Sequence, residues 1–231
     1  MKTKIILFFL SSILFNSIVK AQSGGRIHAG INLSNITVSS SGGVNDANML
    51  TTFQAGVTGD FYLGGPLYLQ PGILYTGKGS KVESGTPGTN GYFKQTFNPY
   101  YFEIPVNLIF KTPAIGAGRF FVGAGPYLAV GVRGKTSTEG QTLLGLTYDV
   151  ESDIRFSDDD PATFDEEEGA GFGIMKRFDY GLNATAGFEG RSMVLGVGYG
   201  YGLAKLQSGS DNDADKKNKH RVLSFTLGFK F

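Results

Sequence analysis

The sequence contains no cysteine and no tryptophan, and it has only two histidines among 231 residues. Without cysteine, the chain can form neither disulfides nor thiolate metal sites, and a lipid-anchored lipoprotein is disfavoured. A strong basic excess is also missing, because 21 Lys and Arg stand against 20 Asp and Glu. Nucleic-acid-binding proteins normally carry such an excess. We therefore expect no nucleic-acid partner.

Long apolar runs are missing beyond the first 20 residues. The apolar run at 5–19 follows a basic start, and its length of about 15 residues is short of the roughly 20 that a spanning helix needs. Small residues, Val19 and Ala21, stand where a signal peptidase reads the chain. We predict a signal peptide at 1–21, with an uncleaved anchor as the alternative, and one exported domain at 22–231. If that domain lies in a membrane, it must cross it with strands.

The domain instead alternates apolar residues with small or polar ones over eight stretches of about 10 to 15 residues. Successive side chains of a strand point to opposite faces, so each stretch predicts a strand with one apolar face. At the C-terminus, for example, Phe225, Leu227 and Phe229 alternate with Ser224, Thr226 and Gly228. The predicted strands are 26–35, 51–63, 67–78, one between the polar stretch 79–95 and residue 111, 119–133, 176–189, 193–203 and 220–231.

The connections between these strands alternate between long and short along the whole chain. Short turns at one end and longer loops at the other are typical of transmembrane β-barrels. A soluble eight-stranded barrel is the alternative, but its outer face would be charged rather than glycine-rich. We predict an all-β, eight-stranded antiparallel transmembrane β-barrel in the outer membrane. Its topology is up-and-down, and pairing of the first and last strands closes it.

The minor face of the strands is rich in glycine. The row Gly196, Gly198, Gly200 and Gly202, with Gly123 and Gly125, is interpreted as space for larger lumen neighbours such as Tyr127 and Phe121. An eight-stranded barrel leaves an interior that side chains just fill. A phosphate-binding glycine loop is the alternative, but it requires a helix after the strand.

Charged residues also fall on the minor face. Unpaired charges are costly away from water, so in a narrow lumen they should pair or be hydrated. We predict a structural polar network of Asp60, Glu103, Asp179 and Glu189 with Arg133 and Lys230 as partners. A proton or ion path along the same residues is the alternative.

Three prolines lie inside predicted strands, where each removes a backbone hydrogen-bond donor. Pro71, Pro105 and Pro126 therefore conflict with the strand prediction unless they mark bulges.

Few residues are candidates for catalysis or metal binding. His28 and His220 are predicted at opposite rims of the barrel. The acidic runs at 158–168 and 211–215 lack the ligand spacing of a calcium loop, so solvated loops are the preferred interpretation, with a divalent cation or lipid headgroups as the alternative ligand. We assign no catalytic, cofactor-binding or metal-binding residue.

Four segments carry a family resemblance: 69–79 (LQPGILYTGKG), 101–108 (YFEIPVNL), 125–128 (GPYL) and 178–182 (FDYGL). Together they resemble the Bacteroidota-type outer-membrane β-barrel family that includes PorT. The resemblance implies an outer-membrane barrel and suggests that the three strand prolines belong to the family pattern. One branch of that family is associated with type IX protein secretion, and no catalytic residue can be transferred from it.

The expected function is a non-catalytic structural or interaction role in the envelope, with contacts made through the outer loops. A small ion or solute channel is the alternative, followed by a lipid- or peptide-modifying enzyme that uses His220. The expected surroundings are outer-membrane lipids, with lipopolysaccharide or other envelope and secretion proteins as candidate partners. We expect a monomer without cofactors. The terminal Phe231 is predicted to be the signal that barrel-assembly machinery recognises.

Overall fold

A computed structural model describes residues 22–37, 49–142, 144–156, 174–204 and 219–231. The predicted signal peptide and the acidic runs at 158–168 and 211–215 lie outside the described residues. No helix within the described ranges is long and apolar enough to cross a membrane.

The described residues form twelve strands. These are β1 (Gln22–Thr37), β2 (Leu50–Gly64), β3 (Leu67–Gly77), β4 (Ser80–Ser84), β5 (Phe93–Lys111), β6 (Arg119–Gln141), β7 (Thr147–Asp153), β8 (Arg155–Phe156), β9 (Ile174–Met175), β10 (Phe178–Glu189), β11 (Met193–Gly202) and β12 (Lys219–Lys230). Eight of them form one antiparallel ring in the order β1-β2-β3-β5-β6-β10-β11-β12. The predicted eight-stranded barrel is confirmed.

The ring closes between the first and last strands. The β1–β12 register runs without a shift from Arg26 opposite Lys230 to Thr37 opposite Lys219. Beyond β12, the Phe231 N–H still donates a 3.0 Å hydrogen bond to the Gly25 carbonyl. The sheet therefore has no open edge in the barrel wall, as closure of a barrel requires.

Apolar side chains point outward from the ring. On β5, Phe102 and Ile104 are 50% and 52% exposed, whereas Glu103 between them is 5% exposed. Large exposed apolar residues recur on all eight strands of the ring. Water would disfavour so much exposed apolar surface, whereas the hydrocarbon of a bilayer matches it.

One side of the barrel continues beyond the ring as a four-stranded antiparallel sheet. This outer sheet consists of β4, residues 93–99 of β5, residues 134–141 of β6, and β7, in that order. The prediction that 79–95 and 134–175 are connections is wrong where β4, β7 and the ends of β5 and β6 lie. In these segments the apolar residues are interspersed with hydroxyl-bearing ones, so they lack the continuous apolar face that marked the other strands.

A bulge between β5 and β6 reverses one prediction. Tyr101 pairs with Gly131, but Tyr100 pairs with Arg133, which leaves Val132 as an extra residue. Both Val132 and Arg133 are exposed on the outside. The Arg133 Nε donates a 2.9 Å hydrogen bond to the Tyr75 hydroxyl, and the guanidinium lies 5.4 Å from the centroid of the Tyr100 ring. The placement of Arg133 in the lumen was therefore wrong.

The three prolines lie within strands and do not mark bulges. The β3–β5 register is the same at Pro71, opposite Val106, and at Leu74, opposite Glu103. The β5–β6 register likewise continues past Pro105. The two β3–β5 pairs missing from the ladder are those of Gly72 with Pro105 and of Ile73 with Ile104, so Pro105 interrupts hydrogen bonding without shifting the strands.

Candidate functional site

An ion-pair cluster fills the end of the lumen that carries the short turns. In this inner cluster Arg26 holds Asp60 through bonds of 2.9 and 3.0 Å to its two carboxylate oxygens. Gln70 donates a further 2.6 Å bond to Asp60. Lys111 lies between two carboxylates, 2.5 Å from Asp60 and 2.7 Å from Glu189.

The inner cluster extends to the rim through Glu189. The second oxygen of Glu189 accepts bonds from Arg119 at 2.8 Å and from Lys230 at 2.6 Å. The side chains of Arg119 and Lys230 are about 30% exposed, whereas that of Glu189 is 2% exposed. The cluster thus passes from a buried centre to hydrated cations at the membrane surface, where burial costs less.

A second cluster closes the lumen nearer the outer end. In this outer cluster Lys78 lies 2.6 Å from Glu103 and 2.9 Å from Asp179, and its side chain is 3% exposed. The Tyr127 hydroxyl donates a 3.1 Å bond to Asp179, and the Lys78 ammonium lies 3.9 Å from the centroid of the Tyr127 ring. Asn183 donates to the other oxygen of Glu103 at 2.9 Å.

A cavity of about 100 Å³ separates the two clusters. Its lining includes Asn107, Thr58 and His28, each with one buried polar atom that has no hydrogen-bond partner among the described residues. A polar cavity of this size has room for a few water molecules, which would satisfy such groups. The lumen therefore contains a short polar chamber between two ion-pair clusters.

Neither histidine lies at an exposed rim. His220 is 1% exposed, and its Nε2 lies 3.2 Å from the Tyr101 hydroxyl. His220 pairs with Ile36 on β1, and His28 lies eight residues before Ile36 on the same strand. His28 therefore lies further down the lumen. A large substrate cannot reach His220 at this depth, so the geometry gives no support to His220 as a catalytic base. Nor do the described residues contain a cluster of acids and histidines that could hold a metal ion.

The sequence placed five of six polar-network residues on the lumen face that they occupy. Asp60, Glu103, Asp179 and Glu189 are buried there, and Lys230 binds Glu189 at the rim. The principal cations Arg26, Lys78 and Lys111 were missed. All three have the inward parity of their strands, so extending the alternation to the strand ends would have found them.

Large and small lumen residues are matched across neighbouring strands. A Cβ on Gly187 would lie 2.6 Å from the Phe121 ring, and one on Gly181 would lie 2.7 Å from the Tyr127 ring. Space for these two rings thus comes from β10 glycines, and not chiefly from the β11 row and Gly123 or Gly125 as expected. In the β11 row, Gly196 faces the Thr226 hydroxyl on β12.

The outer sheet has two different faces. One carries paired charges, with Lys94 3.2 Å from Glu139, and with Lys135 hydrogen-bonded to Glu151. The hydrogen bond from Lys94 to Glu139 raises the pKa of that lysine. The opposite face carries the partly exposed apolar side chains Val82, Phe93, Tyr148 and Val150 among hydroxyl groups. Both faces are accessible outside the membrane.

Several solved structures of outer-membrane barrels are similar to this chain. Ail, the attachment invasion locus protein of Yersinia pestis, solved with the heparin analogue sucrose octasulfate, is 12% identical with a TM-score of 0.39, over 90% of this chain and 99% of Ail. Neisserial surface protein A is 14% identical with a TM-score of 0.42, over 90% and 97% of the two chains. OprG from Pseudomonas aeruginosa is 13% identical with a TM-score of 0.37, over 91% and 97%. No curated protein matches the chain.

The family comparison is decisive because it spans most of the sequence. A family model described as an outer membrane protein beta-barrel domain matches residues 21–208. Closed topology and an apolar outer surface agree with that match. The chain belongs to this family of outer membrane protein β-barrel domains, and it is a protein of the outer membrane.

Proposed function

We propose that this protein is a non-conducting outer-membrane barrel that anchors the outer sheet at the cell surface for contact with another envelope component. The observation that carries the proposal is the double closure of the lumen. Lys78 and Lys111 each lie between two carboxylates, with side chains 3% and 2% exposed. A solute moving through the lumen would have to break both sets of ion pairs, and breaking buried pairs is costly.

The outer sheet supports an interaction role. It is built from four strands, and two of these, β5 and β6, run from the barrel wall into the sheet without interruption. Ordered backbone at the surface reduces the entropy lost on binding. The resemblance to the family that includes PorT adds secretion-associated proteins to the candidate partners, beside lipopolysaccharide, and the protein acts as a monomer in this proposal.

Conductance measurements test the sealed lumen. The chain recovered from outer membranes is inserted into planar bilayers, and the wild type should give no stepwise current above that of protein-free bilayers. A variant with Lys78→Ala and Lys111→Ala, which removes the cation of each cluster, should admit ions more readily than the wild type. Reproducible single-channel steps from the wild type would contradict the proposal.

Site-specific crosslinking in living cells tests the contact role. A photo-crosslinking residue at Val150, on the outer sheet, should give a product that mass spectrometry identifies as an envelope protein or glycan. The matched control is Val122, which is 55% exposed on the barrel wall and should react with lipid alone. Identical products from both positions would refute a specific contact through the outer sheet.

A small channel is the second candidate, and the polar chamber favours it. The cavity of about 100 Å³ is lined by polar groups, including the unpartnered Thr58 and Asn107 oxygens. To connect this chamber to the outside, the Lys78 side chain and the buried apolar cluster of Ile36, Phe97, Ile154 and Met175 would both have to move. The wild-type bilayer recording separates the two candidates directly.

A further inference from the structure

The outer sheet ends on one side in an open edge strand, β7. Within the described parts of the chain, no strand pairs with the far side of β7, and all seven of its residues are exposed. Proteins commonly protect such edges with charged side chains, above all lysine, or with a proline or a bulge. The β7 sequence, Thr-Tyr-Asp-Val-Glu-Ser-Asp, has no lysine, proline or bulge, and its charges are all negative, so they disfavour an acidic strand but not a basic one.

The hydrogen bonds at both ends of β7 show which backbone groups face the free edge. The Thr142 N–H donates to the Leu146 carbonyl at 2.8 Å, and the Ile154 N–H donates to the Gly134 carbonyl at 2.9 Å. Antiparallel strands alternate between bonded and non-bonded pairs, so the even-numbered residues of β7 bond to β6. The odd-numbered residues therefore direct their N–H and C=O groups to the open side.

The residues with free backbone groups are also the acidic ones. Asp149, Glu151 and Asp153 lie at alternate positions on one face of β7. A strand that paired with β7 would place side chains directly opposite these carboxylates, where unlike charges stabilise and like charges destabilise. Pairing of two β7 strands about Glu151 would place acid opposite acid, so the edge is unsuited to a second copy of this chain.

The other face of β7 favours apolar side chains at the remaining positions of the partner strand. Tyr148 is 39% exposed and Val150 is 56% exposed, so apolar side chains beside them would bury surface that water now contacts. Together the two faces select a strand in which basic and apolar residues alternate.

We propose that the free edge of β7 binds an extended polypeptide segment of another protein by strand addition, and that this segment carries basic side chains at alternate positions. The backbone edge supplies the hydrogen bonds, and Asp149, Glu151 and Asp153 supply the selectivity, as in other cases of strand addition. This inference rests on the proposed contact role of the outer sheet and names the partner's chemistry.

Peptide binding to the intact protein in detergent micelles tests the inference. The probe is a fluorescent seven-residue peptide that alternates lysine and valine, and fluorescence anisotropy reports its binding. We expect saturable binding that weakens with salt. Two control peptides should each bind at least about tenfold more weakly: one that alternates glutamate and valine, and one with the same lysines and valines in two blocks. The first places like charges opposite the β7 carboxylates, and the second places fewer lysines opposite them.

Two variants and one modified peptide separate strand addition from general attraction of charge. Asp149→Asn with Asp153→Asn should weaken binding about three- to tenfold, whereas Glu83→Gln on β4, the opposite edge of the sheet, should leave it unchanged. N-methylation of the peptide groups that would pair with β7 should abolish binding. A gel-mobility shift on heating confirms that each variant remains folded.

Equal binding of the alternating and block peptides, equal loss for the β4 and β7 variants, or full binding by the N-methylated peptide would overturn the inference. So would a peptide-free dimer that Glu151→Pro dissociates, because this change removes an N–H on the open side and the edge would then pair with a second copy. Failure of every peptide to bind would refute strand addition, but it would not affect the proposal that the lumen is sealed, which a bilayer recording without current steps would still support. Failure of the sealed-barrel proposal is seen only in that recording.

Discussion

Substitution of Lys78 by methionine should destabilise the barrel more than any single change in its surface charges. Methionine has a similar length but no charge, so Glu103 and Asp179 would face each other without their shared cation. Their side chains are 6% and 1% exposed. Removing one partner of a buried ion pair costs about 3–5 kcal/mol, because the remaining charge stays buried and unpaired.

Two comparison variants test whether the expected loss of stability comes from the buried charges. Lys94→Met removes a cation that also pairs with a carboxylate, but those side chains are 29% and 43% exposed. Exposed pairs contribute about 0–1 kcal/mol. Conversely, adding Glu103→Gln and Asp179→Asn to Lys78→Met removes the unpaired charges and should restore most of the lost stability.

Denaturant unfolding in lipid vesicles is the assay. The chain has no tryptophan, so far-ultraviolet circular dichroism should be used to follow the loss of strand structure, with gel mobility after boiling as a second probe. A loss for Lys78→Met no larger than that for Lys94→Met would refute the reasoning. The absence of any recovery in the triple variant would show that packing of the lysine stem, and not charge, stabilises this region.

Three further predictions concern the barrel wall. Phe231 is 81% exposed and still paired with β1. Its deletion should lower the amount of protein assembled in cells more than it lowers the denaturation midpoint of the protein that does assemble. An equal loss of both would show that Phe231 is a packing residue only. Gly187→Ala should cost about 1–3 kcal/mol in unfolding experiments, because its Cβ would lie 2.1 Å from the Leu195 carbonyl oxygen, whereas Gly24→Ala, with open space around it, should not. Arg133→Ala should change the unfolding free energy by less than about 1 kcal/mol, since this side chain lies on the outer surface, and a loss comparable to that of Lys78→Met would place it back in the lumen network.

The sequence predicts the barrel wall well because each strand there separates lipid from lumen. Phe178, Tyr180 and Leu182 alternate with inward residues such as Asp179, and that contrast identifies both the strand and its orientation. The outer sheet shows this contrast less regularly, since in β6, for example, Thr136 and Ser137 lie on opposite faces and are both polar. Its strands become visible only through their pairing with neighbours.

The candidate site was harder to predict for two different physical reasons. Arg133 was misplaced because one extra residue in a strand turns every later side chain to the other face, and nothing in the local sequence marks that bulge. Lys78 and Lys111 were missed because they follow the last apolar residue of their strands, and the alternation had not been extended that far. The ion pairs themselves require knowledge of which strands lie across the lumen.

The continuity of β5 and β6 through the bulge fixes the height of the outer sheet. From Arg133 to Gln141 the chain advances eight residues, which corresponds to about 27 Å along an antiparallel strand. That length is close to the hydrocarbon thickness of a bilayer, about 30 Å. Two of the eight barrel strands, β5 and β6, are thereby extended outward by nearly this length, so the described residues form a tall side of the molecule above these two strands. A partner that contacts the tall side would meet this protein in one rotational orientation.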